Sequence, residues 1–145
     1  MEQRMNMQQV LPDVYKKMME LEMEIKATGI DPTILELVKI RASQMNGCAF
    51  CLNMHTQDAR KLGETEQRIY VLHAWREAPF FNDEERAALA LAEAVTRLDG
   101  HGVPDGVYDE AIRQFGREGT AKLIMALVAI NGWNRIAVST RLMPV

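Results

Sequence analysis

Helix starts and stops recur along this chain at intervals of one short helix, and no strand signal stands between them. Pro12 opens a loosely helical segment carrying Val14, Met18, Leu21, Met23 and Ile25, and Gly29 stops it. Asp31-Pro32 supplies a capping side chain and a first-turn proline, whose missing N–H would have no helical partner anyway. From there Ile34, Leu35, Leu37, Val38 and Ile40 describe an apolar helix towards Gln44, broken by Asn46-Gly47. A further helix is expected from beside Cys48 to Leu62, with Gly63 as its stop. The next would run from Glu64 or Thr65 through Ile69, Tyr70, Leu72, His73 and Trp75 and end before Pro79, with His73 on its inner side. Asn82-Asp83-Glu84-Glu85 is a capping sequence whose acids favour the helix dipole, and it leads into a helix through Ala87 to Leu98. The glycine-rich stretch from Asp99 to Gly106, with His101 in it, is the clear loop. A short helix over about Val107 to Phe115 and a last one from Thr120 to about Arg141 complete the chain, with Met143-Pro144-Val145 as a tail.

No Asn-Gly or Gly-Gly is flanked by alternating β-branched residues, as a hairpin requires. The expectation is therefore all-α: a compact single-domain bundle of about six to seven helices over residues 1–145. A chain of 145 residues can bury one ordinary core but not two. Leu123 to Ile130 is apolar on more than one side, which marks a central core helix or one facing another subunit. The ten methionines are expected as adaptable core filler, with a methionine-lined substrate pocket as the alternative.

Composition excludes several partners. With 26% charged residues, a net charge of −3 and basic residues spread rather than clustered, no nucleic-acid surface is expected. The longest apolar run has eight residues, too few to span a bilayer, so no membrane partner is expected. The polar start, Met1 to Gln9, lacks the apolar stretch of a secretory signal, and a cytoplasmic location is expected.

The chemistry concentrates in Cys48-Ala-Phe-Cys51-Leu-Asn-Met-His55, which holds both cysteines of the chain. On a helix, positions i, i+3 and i+7 share a face, so two thiols and an imidazole converge. In a reducing compartment such a pair points to catalysis or metal binding rather than to a structural staple. A helix start favours the thiolate, and His55 stands one turn beyond Cys51 to share its proton. Glu36, set among Ile34, Leu35, Leu37 and Val38, can reach the cluster once the Asn46-Gly47 break folds its helix back. Metal is the competitor: zinc accepts cysteine and histidine, but structural zinc wants four protein ligands and the chain has no second cysteine pair. Haem attachment requires histidine directly after the second cysteine, where Leu52 stands. No metal and no cofactor are expected.

Glu36, the run Arg41-Ala-Ser-Gln-Met-Asn-Gly-Cys-Ala-Phe-Cys51, His55, Trp75 and Glu84-Glu85-Arg86-Ala87-Ala88-Leu89-Ala90 together resemble the AhpD-like alkylhydroperoxidases of the carboxymuconolactone decarboxylase superfamily. The resemblance is strongest from about Pro32 to Leu98. It implies a small helical fold that assembles as trimers or hexamers, and thiol-dependent reduction of hydroperoxides. Carried over, Cys51 would attack the O–O bond and become a sulfenic acid. Cys48 would donate a proton and resolve it as a disulfide, and Glu36 and His55 would match the proton relay. One position departs from the pattern: well-known members carry a second histidine just before the second cysteine, and here Phe50 stands there.

The expected function is thus a thiol-dependent peroxidase or disulfide oxidoreductase, acting on a small hydroperoxide and needing a thiol reductant of unidentified kind. Two alternatives remain open. One is an enzyme of the decarboxylase type, which moves protons at a carbon acid and needs no redox dithiol. The other is a non-catalytic redox-sensing oligomer.

Overall fold

The computed structural model describes all residues, Met1–Val145, and contains helices and turns with no strand. Its elements are α1 (Met7–Val10), α2 (Pro12–Ala27), α3 (Pro32–Asn46), α4 (Ala49–Lys61), α5 (Glu66–Tyr70), a 3-10 turn (Leu72–Ala74), α6 (Asp83–Thr96) and α7 (Asp105–Thr140). The all-α bundle read from the sequence is the fold observed.

Local signals account for most of the boundaries. Asp31 accepts the N–H groups of Thr33 and Ile34 at the start of α3. Asn82 and Glu85 close a reciprocal capping box on α6, at 2.9 Å in each direction. Gly47 ends α3 at φ +65, a conformation that disfavours any residue with a Cβ. Its N–H bonds Gln44 O at 3.3 Å, and that of Cys48 bonds Ser43 O at 3.0 Å, the paired bonds of a Schellman stop. The chain is turned back immediately ahead of the cysteine pair.

The main core lies where α3, α6 and α7 meet, around Val38, Ala42, Leu91, Leu123, Leu127 and Ile130. A second cluster, with Leu37, Ile40, Leu72, Trp75, Phe81 and Leu89, fixes the 72–81 segment against α3 and α6. By length and composition alone α7 could cross a membrane. Its inner face instead carries the core, while Met125 and Val128 on the other face are exposed.

Three expectations are corrected, and a fourth is kept. The helix anticipated from Glu64 through Trp75 stops at Tyr70, because Trp75 must turn inward and donate its indole N–H to Glu93 at 2.9 Å. His73 is consequently exposed rather than inward-facing. The two C-terminal helices expected from the sequence are present within α7, separated by a kink at Gly116, whose φ of 70 and ψ of 179 are non-helical. No methionine is buried in the core; the filler is Leu, Ile, Ala and Val.

Two polar hubs hold the frame. Glu93 accepts from Arg41 at 2.9 Å, Trp75 at 2.9 Å and Arg76 at 2.5 Å. Burial opposes its ionisation, but these donors outweigh burial and hold its carboxyl below the ordinary range. Lys39, fully buried on α3, pairs with Glu22 and ties α2 across α3.

Candidate active site

The α3–α4 turn decides where the sulfurs go. Cys48 lies outside the helix as the N-cap of α4, with extended backbone, and its sulfur accepts the N–H of Cys51 at 3.3 Å. The two thiols therefore meet as cap and first turn rather than as two positions on one helical face. They are joined as a disulfide, with Cα atoms 5.4 Å apart. Both are buried, at 1% and 2% exposure, against Ala137 of α7. An amide network fixes the turn on α7: Asn134 donates to Ser43 Oγ at 3.0 Å, and Asn46 donates to Asn131 and Asn134, each at 2.9 Å.

Glu36 reaches the cluster as its apolar neighbours suggested. Folding α4 back on α3 brings His55 Nδ1 to 2.9 Å from Glu36 Oε2, with the two residues 7% and 6% exposed. A ring that donates from Nδ1 to a carboxylate leaves Nε2 of its neutral form as the acceptor. Carboxylate and imidazole then form a proton-handling pair one helical turn from Cys51.

A cavity of about 430 Å³ opens on this cluster. Cys51 and His55 form part of its wall; Cys48 and Glu36 lie behind them and do not. The rest of the lining is largely sulfur, aromatic and aliphatic: Met5, Met7, Met19, Met54, Phe50, Tyr15, Trp133, Ile136 and Leu142. Tyr15 and Trp133 stand edge to face, with centroids 5.3 Å apart. The methionine-lined pocket, the alternative reading of the ten methionines, thus describes four of them.

Both chain ends close over this space. Gln3, Met5 to Gln8 and Leu142 line it, and Arg4 N–H bonds Thr140 O at 2.8 Å. Nothing local in the sequence points to that closure. Asp58 does have a local signal, since its spacing of three from His55 and seven from Cys51 sets it on their face. Donor atoms of Glu36, His55 and Asp58 lie within 4.8 Å of one another, so these three are the residues that could hold a cation. That set differs from the two-thiol set suggested by the Cys-x-x-Cys spacing.

The family model for the carboxymuconolactone decarboxylase family matches residues 12–94, more than half of the chain and beginning earlier than the sequence resemblance, at the start of α2. The uncharacterized protein YdfG of Bacillus subtilis is 48% identical over 139 residues, covering 96% of this chain and 95% of that one. A crystal structure of a protein of unknown function from Agrobacterium tumefaciens, for which a role as the antioxidant defence protein AhpD has been suggested, superposes with a TM-score of 0.96 at 38% identity, over 99% of both chains. The debrominase Bmp8 shares the fold, with a TM-score of 0.80 at 22% identity over 92% of this chain and 72% of its own. The chain belongs to the carboxymuconolactone decarboxylase family, and it is AhpD-like in its helical fold and in the cysteine pair at the start of α4.

Proposed function

We propose that this chain is a thiol-dependent peroxidase that reduces organic hydroperoxides through Cys48 and Cys51. The observation that carries the reading is the division of labour around the cavity. Cys51 shares the wall with His55, which is hydrogen-bonded to Glu36, while Cys48 lies behind, bonded to Cys51.

In the reduced enzyme, His55, backed by Glu36, takes the Cys51 proton. The thiolate attacks the terminal oxygen of the hydroperoxide and the O–O bond breaks. The alkoxide leaves as alcohol with a proton from Cys48 or the relay, and Cys51 becomes a sulfenic acid. Cys48 then attacks that sulfur, the S–S bond forms and water leaves. An external thiol must supply two electrons to reopen the pair. Because only Cys51 of the pair lines the cavity, reductant and peroxide would enter by the same route.

A decarboxylase-type activity has no use for a dithiol that closes on itself, which tells against that alternative. The reading carries with it a homo-oligomer in the cytoplasm. Exposed apolar residues on α2 (Val14, Met23) and towards the end of α7 (Val138) are consistent with surface covered by further copies. The test is direct: reduced protein is mixed with an organic hydroperoxide, and free thiols and the peptide spanning residues 48–55 are followed by mass spectrometry. Rapid closure of Cys48–Cys51 with sustained turnover on added dithiol supports a peroxidase. Slow closure without turnover would instead make the chain a redox sensor.

A further inference from the structure

Met54 follows Cys51 by three residues on α4 and lines the same cavity. Helical residues at that spacing have Cβ atoms about 5–6 Å apart. In the state described here both cysteines are spent in their disulfide, so Cys51 has no thiolate to offer. A hydroperoxide entering at that moment meets a wall whose remaining oxidisable sulfur is thioether. Met5, Met7 and Met19 belong to the N-terminal arm and α2, whereas Met54 shares the helix turn of the reacting cysteine.

We propose that Met54 is a second oxidation site, converted to methionine sulfoxide by hydroperoxide bound in the cavity while the Cys48–Cys51 disulfide is closed. The identity of the occupant rests on the peroxidase reading. The terminal oxygen of the hydroperoxide passes to the Met54 sulfur, the O–O bond breaks and an S–O bond forms. Sulfur loses the two electrons that the peroxide gains, and the hydroperoxide proton ends on the departing oxygen as alcohol. No further oxidant or reductant is required. The product places a polar S–O group in an apolar wall beside Cys51, where it opposes entry of an apolar substrate. With ample reductant, Cys51 reacts first and Met54 is spared. When reductant runs short, the site marks itself and slows, and a sulfoxide reductase would restore it.

The control lies within the molecule. Met54 and Met125 are almost equally exposed, at 40% and 42%, but Met125 is on the outer face of α7, away from the cavity. Disulfide-form protein and the Cys51→Ser variant are incubated with cumene hydroperoxide, and sulfoxide is quantified at both positions by peptide mass spectrometry. Confinement beside the bound peroxide should make Met54 react at least about fivefold faster than Met125 in both proteins. In fully reduced wild type, Met54 oxidation should lag until the thiols are consumed. After treatment and re-reduction of the cysteines, Met54→Leu should keep a larger share of its own untreated peroxidase rate than wild type keeps. Equal rates at Met54 and Met125 would overturn the proposal. Thiols that ignore peroxide would overturn the peroxidase reading instead, because the Met54 comparison is made in disulfide-form protein, which has no free thiol, and in Cys51→Ser, which lacks the attacking one.

Discussion

The sulfur of Cys48 accepts the backbone N–H of Cys51 at 3.3 Å, so the helix that carries Cys51 is capped by its disulfide partner. One side chain thereby has two roles that substitution can separate. Serine is a good N-cap and alanine is not. Under reducing conditions Cys48→Ser should unfold close to wild type, and Cys48→Ala should lose about 0.5–2 kcal/mol in urea titrations. Neither should sustain turnover. Cys48→Ser is expected to complete one oxidation and accumulate oxidised Cys51, while Cys51→Ser consumes no peroxide at all. Full multiple-turnover activity in both serine variants would remove the pair from the mechanism.

The buried contact between Glu36 and His55 makes a separate prediction. Glutamine at position 36 preserves size and a hydrogen-bonding oxygen but cannot balance a positive imidazolium. Glu36→Gln should therefore slow thiol oxidation by about 10²-fold, the usual scale for losing positioned acid–base assistance. Stopped-flow rates across pH would show it, the limb governed by proton removal moving relative to wild type. A superimposable profile would reduce Glu36 to a structural residue.

How much of this was legible in the sequence divides along local and tertiary lines. Asp31-Pro32, Asn46-Gly47 and Asn82 to Glu85 are short-range signals, and each marks a helix end that the fold keeps. Glu36 was readable because a carboxylate among Ile34, Leu35, Leu37 and Val38 needs a buried partner, and His55 is that partner. The failures come from contacts distant in the chain. Trp75 leaves its helical pattern to reach Glu93, eighteen residues on. Lys39 has the composition of a surface residue, yet it is buried because Glu22 arrives from α2. The cavity was least legible of all, since its walls come from both ends of the chain and from helices far apart in sequence.

Glu93 predicts an acid limb in stability. Its carboxyl is held below the ordinary range because donors from Arg76, Trp75 and Arg41 outweigh the opposing effect of burial. A carboxyl depressed on folding contributes stability that is fully present above its unfolded value and is lost as pH falls through the folded one. The gap between wild type and Glu93→Gln should thus be widest near neutrality and shrink on acidification below the ordinary carboxylate range. Urea midpoints measured over that range check it. A gap that stays constant would show that the ionised form of Glu93 adds nothing to the neutral hydrogen bonds.

Phe50 joins specificity to rate. Its ring lines the cavity at the position where well-known AhpD-like enzymes carry a second histidine, so the relay we propose has one imidazole, His55. Phe50→His would add a proton carrier next to Cys51 while removing apolar wall. These effects act on different constants. A second relay group should raise kcat for a small hydroperoxide by about tenfold, the lower part of the range for acid–base assistance. Loss of the ring should raise KM for a bulky apolar hydroperoxide, whose binding depends on burying apolar surface. Steady-state kinetics with tert-butyl and cumene hydroperoxides separate the two. If kcat for the small substrate does not rise, proton delivery through His55 alone is already sufficient, and Phe50 stands in the wall for the substrate it admits rather than at the expense of the relay.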